Sequence, residues 1–244
     1  MSVLFISDLH LCEERPVLTG LFLDFLKDVV PGHDAFYLLG DVFEYWAGDD
    51  DLADPFNARI CAAIKSCDLP TYVLPGNRDF LFGAGFEAAT GATLLPDEIV
   101  HDIAGTKTLL LHGDTLCTDD TAYQDFRRMV RNPAWQKNFL ALPLAARKAQ
   151  IEAVRQNSEA QKQMKAAEIM DVNQDAVADA FRRHGVQTMI HGHTHRLATH
   201  RYNVDGQQCT RHVLGDWHDN HHGGNYLDCS PDGWQRGTWW PMPQ

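Results

Sequence analysis

The chain begins as alternating blocks, in which short apolar runs closed by polar or glycine residues are separated by stretches of helical periodicity. Val3-Leu4-Phe5-Ile6, Ala35-Phe36-Tyr37-Leu38-Leu39, Thr71-Tyr72-Val73-Leu74, Thr108-Leu109-Leu110-Leu111 and Thr188-Met189-Ile190 read as buried strands. Residues 18–30 place apolar side chains at helical spacing and stop at Pro31-Gly32, and Phe56 to Ile64 predicts a second helix. This alternation up to about residue 115 predicts an α/β core. Past residue 195, short runs at Arg211 to Leu214, Asn225 to Leu227 and Trp234 to Trp240, punctuated by Gly and Asp, predict antiparallel sheet.

Between these parts the texture changes. No glycine occurs between Gly113 and Gly185, and good helix formers dominate. The pattern predicts a helical insertion over 118–185 in a core made of 1–117 and 186–244. Residues 120–170 hold nine Lys/Arg against five Asp/Glu, in a chain whose net charge is -12. Phe126, Met129, Val130, Trp135, Phe139, Leu140, Leu142 and Leu144 interleave with these basic residues. A solvated helical hairpin accounts for such a stretch. So does a cap over a site for an anionic, greasy ligand, or contact with an anionic membrane surface. The acidic balance elsewhere argues against nucleic acid as a partner, and no protein partner is evident. Six scattered cysteines lack zinc-type spacing, no apolar run is long enough to span a bilayer, and the start has no basic n-region. The expectation is a cytoplasmic protein with reduced thiols.

The candidate chemistry lies at the ends of the strand-like runs, in Asp8-Leu9-His10, Gly40-Asp41, Gly76-Asn77-Arg78-Asp79, His112 and Gly192-His193-Thr194-His195. Each piece alone is weak, since a Gly-Asp dipeptide is an ordinary turn. Together, Asp8, His10, Asp41, Asn77, His112, His193 and His195 supply nitrogen and oxygen donors for two adjacent divalent metals, with Asp41 able to bridge them. Such a thiolate-free set suits Mn²⁺, Fe or Zn more than Ca²⁺. A metal pair of this kind clamps a phosphoryl group and activates water. Asp79 is expected to orient a ligand from behind. His191 is expected to be a strand residue, Trp239-Trp240 to pack, Asp49-Asp50-Asp51 to be a solvated loop near the mouth, and His218, Asp219, His221 and His222 to form a polar turn.

In this order the pieces resemble the calcineurin-like metallophosphoesterase family, whose pattern is Asp-x-His, Gly-Asp, Gly-Asn-His-Asp/Glu, His and Gly-His-x-His. The resemblance covers residues 8–195. It implies a four-layer αββα sandwich, here with the helical insertion as a lid. It puts Asp8, His10, Asp41 and His195 on one metal, and Asp41, Asn77, His112 and His193 on the other. Catalysis would then fall to Asn77, Arg78 and His193. Arg78 stands where the family has histidine. A guanidinium forks onto phosphate oxygens but is a poor proton donor, so the substitution leans toward a diphosphate, whose leaving group needs no acid.

Gly40 to Trp46, Gly76 to Asp79, the insertion and Glu168 to Asn173 are similar to the lipid A branch of that family. This narrower resemblance implies two Mn²⁺ per chain and a UDP-linked diacylated glucosamine as substrate. It also implies water attack at the α-phosphorus and a lid lined for acyl chains. A peripheral place on the cytoplasmic face of the inner membrane would follow. Asn77, Arg78, Asp120, Ser158, Lys162, Lys165 and His193 would touch substrate, Lys162 standing where a small polar residue is expected. The competing readings are a pyrophosphatase or phosphodiesterase for a soluble nucleotide, which needs no acyl groove, and a non-catalytic scaffold, which would have lost ligands.

Overall fold

A computed structural model describes residues 1–162, 171–220 and 223–240, the side chains of 157–162 excepted. The first sheet is built from β1 (Val3–Ile6), β2 (Ala35–Leu38), β3 (Thr71–Val73) and β4 (Thr93–Leu94), joined in parallel through α1 (Pro16–Asp28), α2 (Pro55–Lys65) and α3 (Ala84–Thr90). On its other side, β10 (Gly224–Ser230) pairs antiparallel with β1, followed by β11 (Gly233–Trp239). The second sheet has the order β5 (Glu98–Ile103), β6 (Thr106–Leu111), β7 (Thr188–His191), β9 (Gln207–Val213), β8 (Ala198–Val204).

Strand periodicity stacks the layers. In β1, Val3 and Phe5 join Tyr37, Leu110 and Ile190 between the sheets, while Leu4 and Ile6 face Phe22 and Phe25 of α1 and Ile60 of α2. In the second sheet, Leu109, Leu111 and Met189 turn outward to Val177, Ala180 and Phe181 of α7 (Gln174–His184). The result is the expected αββα sandwich. Its helices follow local rules. Asp54 and Asn173 cap α2 and α7 with their side chains, Pro16 and Pro55 occupy first turns, and Gly185 closes α7 at φ 62°. The sequence pattern did not reveal α3, β4, β5 or β8, which are short or mostly polar.

α7 falls inside the span read as insertion, yet its apolar face makes it the fourth layer of the core. The rest of that span, the part expected to act as a cap, is a helical segment of α4 (Thr121–Val130), α5 (Pro133–Leu140) and α6 (Leu144–Lys162). It docks through Trp135 and Phe139, stacked at 4.8 Å and packed on the first sheet's helical core.

The Asp49-Asp50-Asp51 run is a solvated loop only at Asp50, which is exposed, whereas Asp49 and Asp51 are held by the fold. Asp49 accepts from Trp46 Nε1 at 3.1 Å and from the Gly85 amide at 2.8 Å. Asp50 pairs with the buried Arg147 of α6, and the buried Asp51 carboxylate lies 2.7 Å from Lys148 Nζ. The basic face of α6 lies on this run, and charges covered in that way must be paired.

Candidate metal centre

Every proposed ligand sits at or just beyond the end of a strand: Asp8 and His10 after β1, Asp41 after β2, Asn77 after β3, His112 after β6, His193 and His195 after β7. Strand ends are where parallel sheets present side chains to a cleft. Five of these residues have left-handed backbone: Asp8 (φ 55°), His10 (50°), Asp41 (53°), His193 (66°) and His195 (56°). A non-glycine residue pays about 1–3 kcal/mol for such a conformation, which persists only where neighbours impose it. Here they do. The Asp8 amide donates to Gly40 O and the His10 amide to Asp41 O, while the Asp8 carboxylate accepts the His193 amide at 3.0 Å. Asp79, fully buried, accepts the amides of Val42 at 2.7 Å, Gly76 at 2.8 Å and Asp41 at 3.3 Å. Burial and the Asp41 charge push its carboxyl up to about 6. Gly76 and Gly192 admit no side chain, since a Cβ would stand 2.2 Å from Asp41 Oδ1 and Asp8 Oδ2 respectively.

The donors converge. His10 Nε2 lies 3.4 Å from His195 Nε2, and His195 Nε2 lies 3.3 Å from Asp8 Oδ1. Asp41 Oδ2 lies 3.9 Å from His10 Nε2 and 3.7 Å from His112 Nε2, between the two halves of the site. Asn77 Oδ1 is 2.8 Å from His193 Nδ1 and 3.0 Å from His112 Nε2. Asp8 with His10 and His195, and Asp8 with Asp41 and His112, each gather one ligand atom per residue within 4.8 Å. His112 Nδ1 faces Leu39 O at 2.9 Å, which leaves Nε2 to the centre.

The electrostatics suit a cation. Burial disfavours a charged His195, but Asp216 and Asp8 outweigh it and lift the imidazole to about 10. The two carboxylates make this a place that favours positive charge. Burial and the neighbouring His112 push His193 down to about 4, so its ring is neutral and able to donate a lone pair. A set of imidazole nitrogens, carboxylates and one amide oxygen, closed around a common centre, fits divalent metal ions.

Arg78 lies beside this centre. Its amide donates to Asp41 Oδ1 at 2.8 Å and its Nη1 is 3.3 Å from Glu44 Oε1. Glu44 also meets His10 Nδ1 at 3.4 Å and Arg155 Nη2 of α6 at 2.8 Å. Burial raises the Glu44 carboxyl, but the His10 contact and the Arg78 charge overcome it and hold it at about 2. Asp120 caps α4, accepting the Tyr123 amide at 3.1 Å, and the Tyr123 ring lies 6.0 Å from that of His193. α4 is pinned to the rim by Arg127, on Asp97 and Asp114, and by Arg131, on Asp97 and Gly76 O. Lys165 and the side chains of Ser158 and Lys162 lie outside the described residues, as do His221 and His222. His218 meets Asp216 at 3.2 Å, Trp239 packs with Phe25, and His191 is a buried residue of β7.

The sequence reading missed Glu44 and Asp216, the carboxylates behind His10 and His195. Each lies within a few residues of a functional or aromatic motif, but a lone carboxylate carries no spacing signal.

Two facing sheets with this donor set on one rim define a metal-dependent phosphoesterase. The chain belongs to the calcineurin-like phosphoesterase family, whose pattern it matches over residues 1–197. It is 53% identical over 222 residues to the UDP-2,3-diacylglucosamine hydrolase of Aromatoleum aromaticum, covering 90% of this chain and 91% of that protein. The protein of the same name from Xanthomonas campestris pv. campestris is 48% identical over 242 residues, 96% of this chain and 97% of its own. Among solved structures, a dimetal phosphatase from Danio rerio shares the fold, with a TM-score of 0.50 and 13% identity over 98% of this chain and 99% of that one.

Proposed function

We propose that the chain hydrolyses the diphosphate of UDP-2,3-diacylglucosamine at the α-phosphorus, giving UMP and 2,3-diacylglucosamine 1-phosphate in lipid A biosynthesis. The observation that carries this reading is near full-length identity of 48% or more to two hydrolases named for that substrate. Asp8, His10, Asp41 and His195 would hold one Mn²⁺, and Asp41, Asn77, His112 and His193 the second. Such ions, when bound, lower the pKa of a water and neutralise phosphate charge.

The chain's own groups do the rest. Asn77 Oδ1 faces His112 and His193, so its amide NH₂ is turned away from them and can donate to a phosphate oxygen. Arg78, held through Glu44, brings a fixed charge to the same side as Asp41. A guanidinium stabilises the crowded phosphorus without giving up a proton, and the departing sugar phosphate needs none. Asp120, Ser158, Lys162 and Lys165 would complete the substrate contacts from the cap. A cleft of about 290 Å³ between core and cap has an apolar lining of Phe80, Leu81, Phe82 and Leu140 for an acyl chain, beside the polar Asp49, Asp50, Gln136 and Arg147. Met129, Leu140, Leu142 and Val154 are exposed on the basic cap. They favour peripheral contact with the anionic cytoplasmic face of the inner membrane. No helix among the described residues is long and apolar enough to cross a membrane.

The test is turnover with Mn²⁺. UMP should be released from the diacylated substrate, and Asp41→Ala should abolish release. De-acylated UDP-glucosamine should turn over poorly, and equal rates would refute the acyl cleft. Reaction in H₂¹⁸O should label UMP, and label in the sugar phosphate would refute attack at the α-phosphorus.

A further inference from the structure

Arg211 of β9 is 2% exposed, and no carboxylate among the described residues pairs with it. A buried guanidinium without a counter-ion is costly, so its hydrogen bonds carry weight beside its place 5.7 Å over the Tyr202 ring. Nε donates to Tyr202 Oη at 2.9 Å, and Nη1 meets His191 Nε2 at 3.0 Å. A guanidinium can only donate, so His191 Nε2 is the acceptor and the ring's proton sits on Nδ1. That proton points at Gly192 O, 2.8 Å away. The same carbonyl accepts the Thr194 amide at 2.8 Å, and the Gly192 amide donates to His112 O at 2.8 Å.

The Gly192 unit is therefore gripped at both ends. It is also hemmed in by Ser7 and Asp8 on one face, where a Cβ would stand 2.3 Å and 2.2 Å from their oxygens. His191 itself fills the space under Gly113, whose Cβ would lie 2.6 Å from His191 Nδ1. The ring thus touches the two turns that present His112 on one side, and His193 and His195 on the other.

We propose that Arg211 and His191 are positioning residues for the metal centre. Arg211 fixes the His191 tautomer, and His191 in turn fixes the Gly192 carbonyl, from which the left-handed His193 and His195 project. The proposal rests on the metal-site reading above. It extends that site to a side chain on β9 that touches neither substrate nor ion.

The test is Mn²⁺ binding by titration calorimetry, beside the thermal unfolding midpoint. Arg211→Met and His191→Phe should weaken Mn²⁺ binding about 10-fold or more, the usual effect of losing a partner behind a ligand. His191→Asn, which returns an N–H donor near the Nδ1 position, should bind within about 3-fold of the unsubstituted chain on the same scale. Should the core variants fail to fold, Tyr202→Phe removes the bond to Arg211 Nε, keeps the ring beneath the guanidinium and opens no cavity, and it should weaken binding in the same direction by a smaller factor. Unchanged Mn²⁺ affinity in the folded variants, whatever their midpoints, overturns the proposal and leaves the pair as core packing. If the unsubstituted chain itself binds no Mn²⁺, the metal-site reading fails and this inference fails with it.

Discussion

At the scale of single residues, Arg78 and Asp79 are adjacent and face opposite ways. Arg78 reaches the mouth, and Asp79 is buried behind Asp41. Arg78→Ala should cost about 2–5 kcal/mol in kcat/KM, as for loss of one member of a close charge pair. Arg78→Lys should recover only part, because the ammonium lacks the fork; steady-state kinetics checks both. A second residue reports on pH. Burial and then the Arg236 charge push His212 down to about 4, its ring 5.0 Å from that of Trp234. Between pH 6.5 and about 4, the unfolded chain takes up a proton that the folded chain resists. Stability present above pH 6.5 is therefore lost as pH falls toward 4. Denaturant unfolding should show His212→Gln with a flatter slope over that window. The seven candidate ligands stood out in the sequence because His, Asp and one Asn closely follow strand-like runs, and the fold brings these side chains to one rim. Glu44 and Asp216 were not, because their partners are brought to them only by the fold.

Among elements, α6 was legible as helix but not in what it rests on. An acidic triplet such as Asp49 to Asp51 ordinarily reads as solvent-facing, and only the docked helix reveals it as a counter-surface. Arg147 is the centre of that contact, donating to Leu142 O, Ala47 O and Asp50. Arg147→Met should leave these acceptors unpaired and loosen the cap. Hydrogen exchange should then quicken in α5 and α6 and stay unchanged in β1, β2 and β6. α7 shows the opposite limit. Its composition matches the cap helices, and its burial against Leu109 and Met189 is what assigns it to the core.

For the whole molecule, the site is a seam between two sheets. Asp8, Asp41 and Asn77 come from one and His112, His193 and His195 from the other. Ions held there would tie the sheets together, so metal should raise the unfolding free energy by about 2.7 kcal/mol at a hundred times its dissociation constant. Calorimetric melting with added Mn²⁺ against excess chelator checks this. The sandwich class was legible because strand runs alternate with helices. The sheet order was not, because β1 takes its outer neighbour from the far end of the chain, with Val3 opposite Cys229. That pairing has a consequence for synthesis. The strand that leads into Asp8 and His10 leaves the ribosome long before its partner β10, and its hydrogen-bonding edge stays open until residues 224–230 emerge. Non-local pairing of this kind is slow, and an open apolar edge invites other chains. A nascent polypeptide arrested before residue 224 should therefore hold an exposed Val3–Ile6 template, a substrate for chaperones rather than for metal.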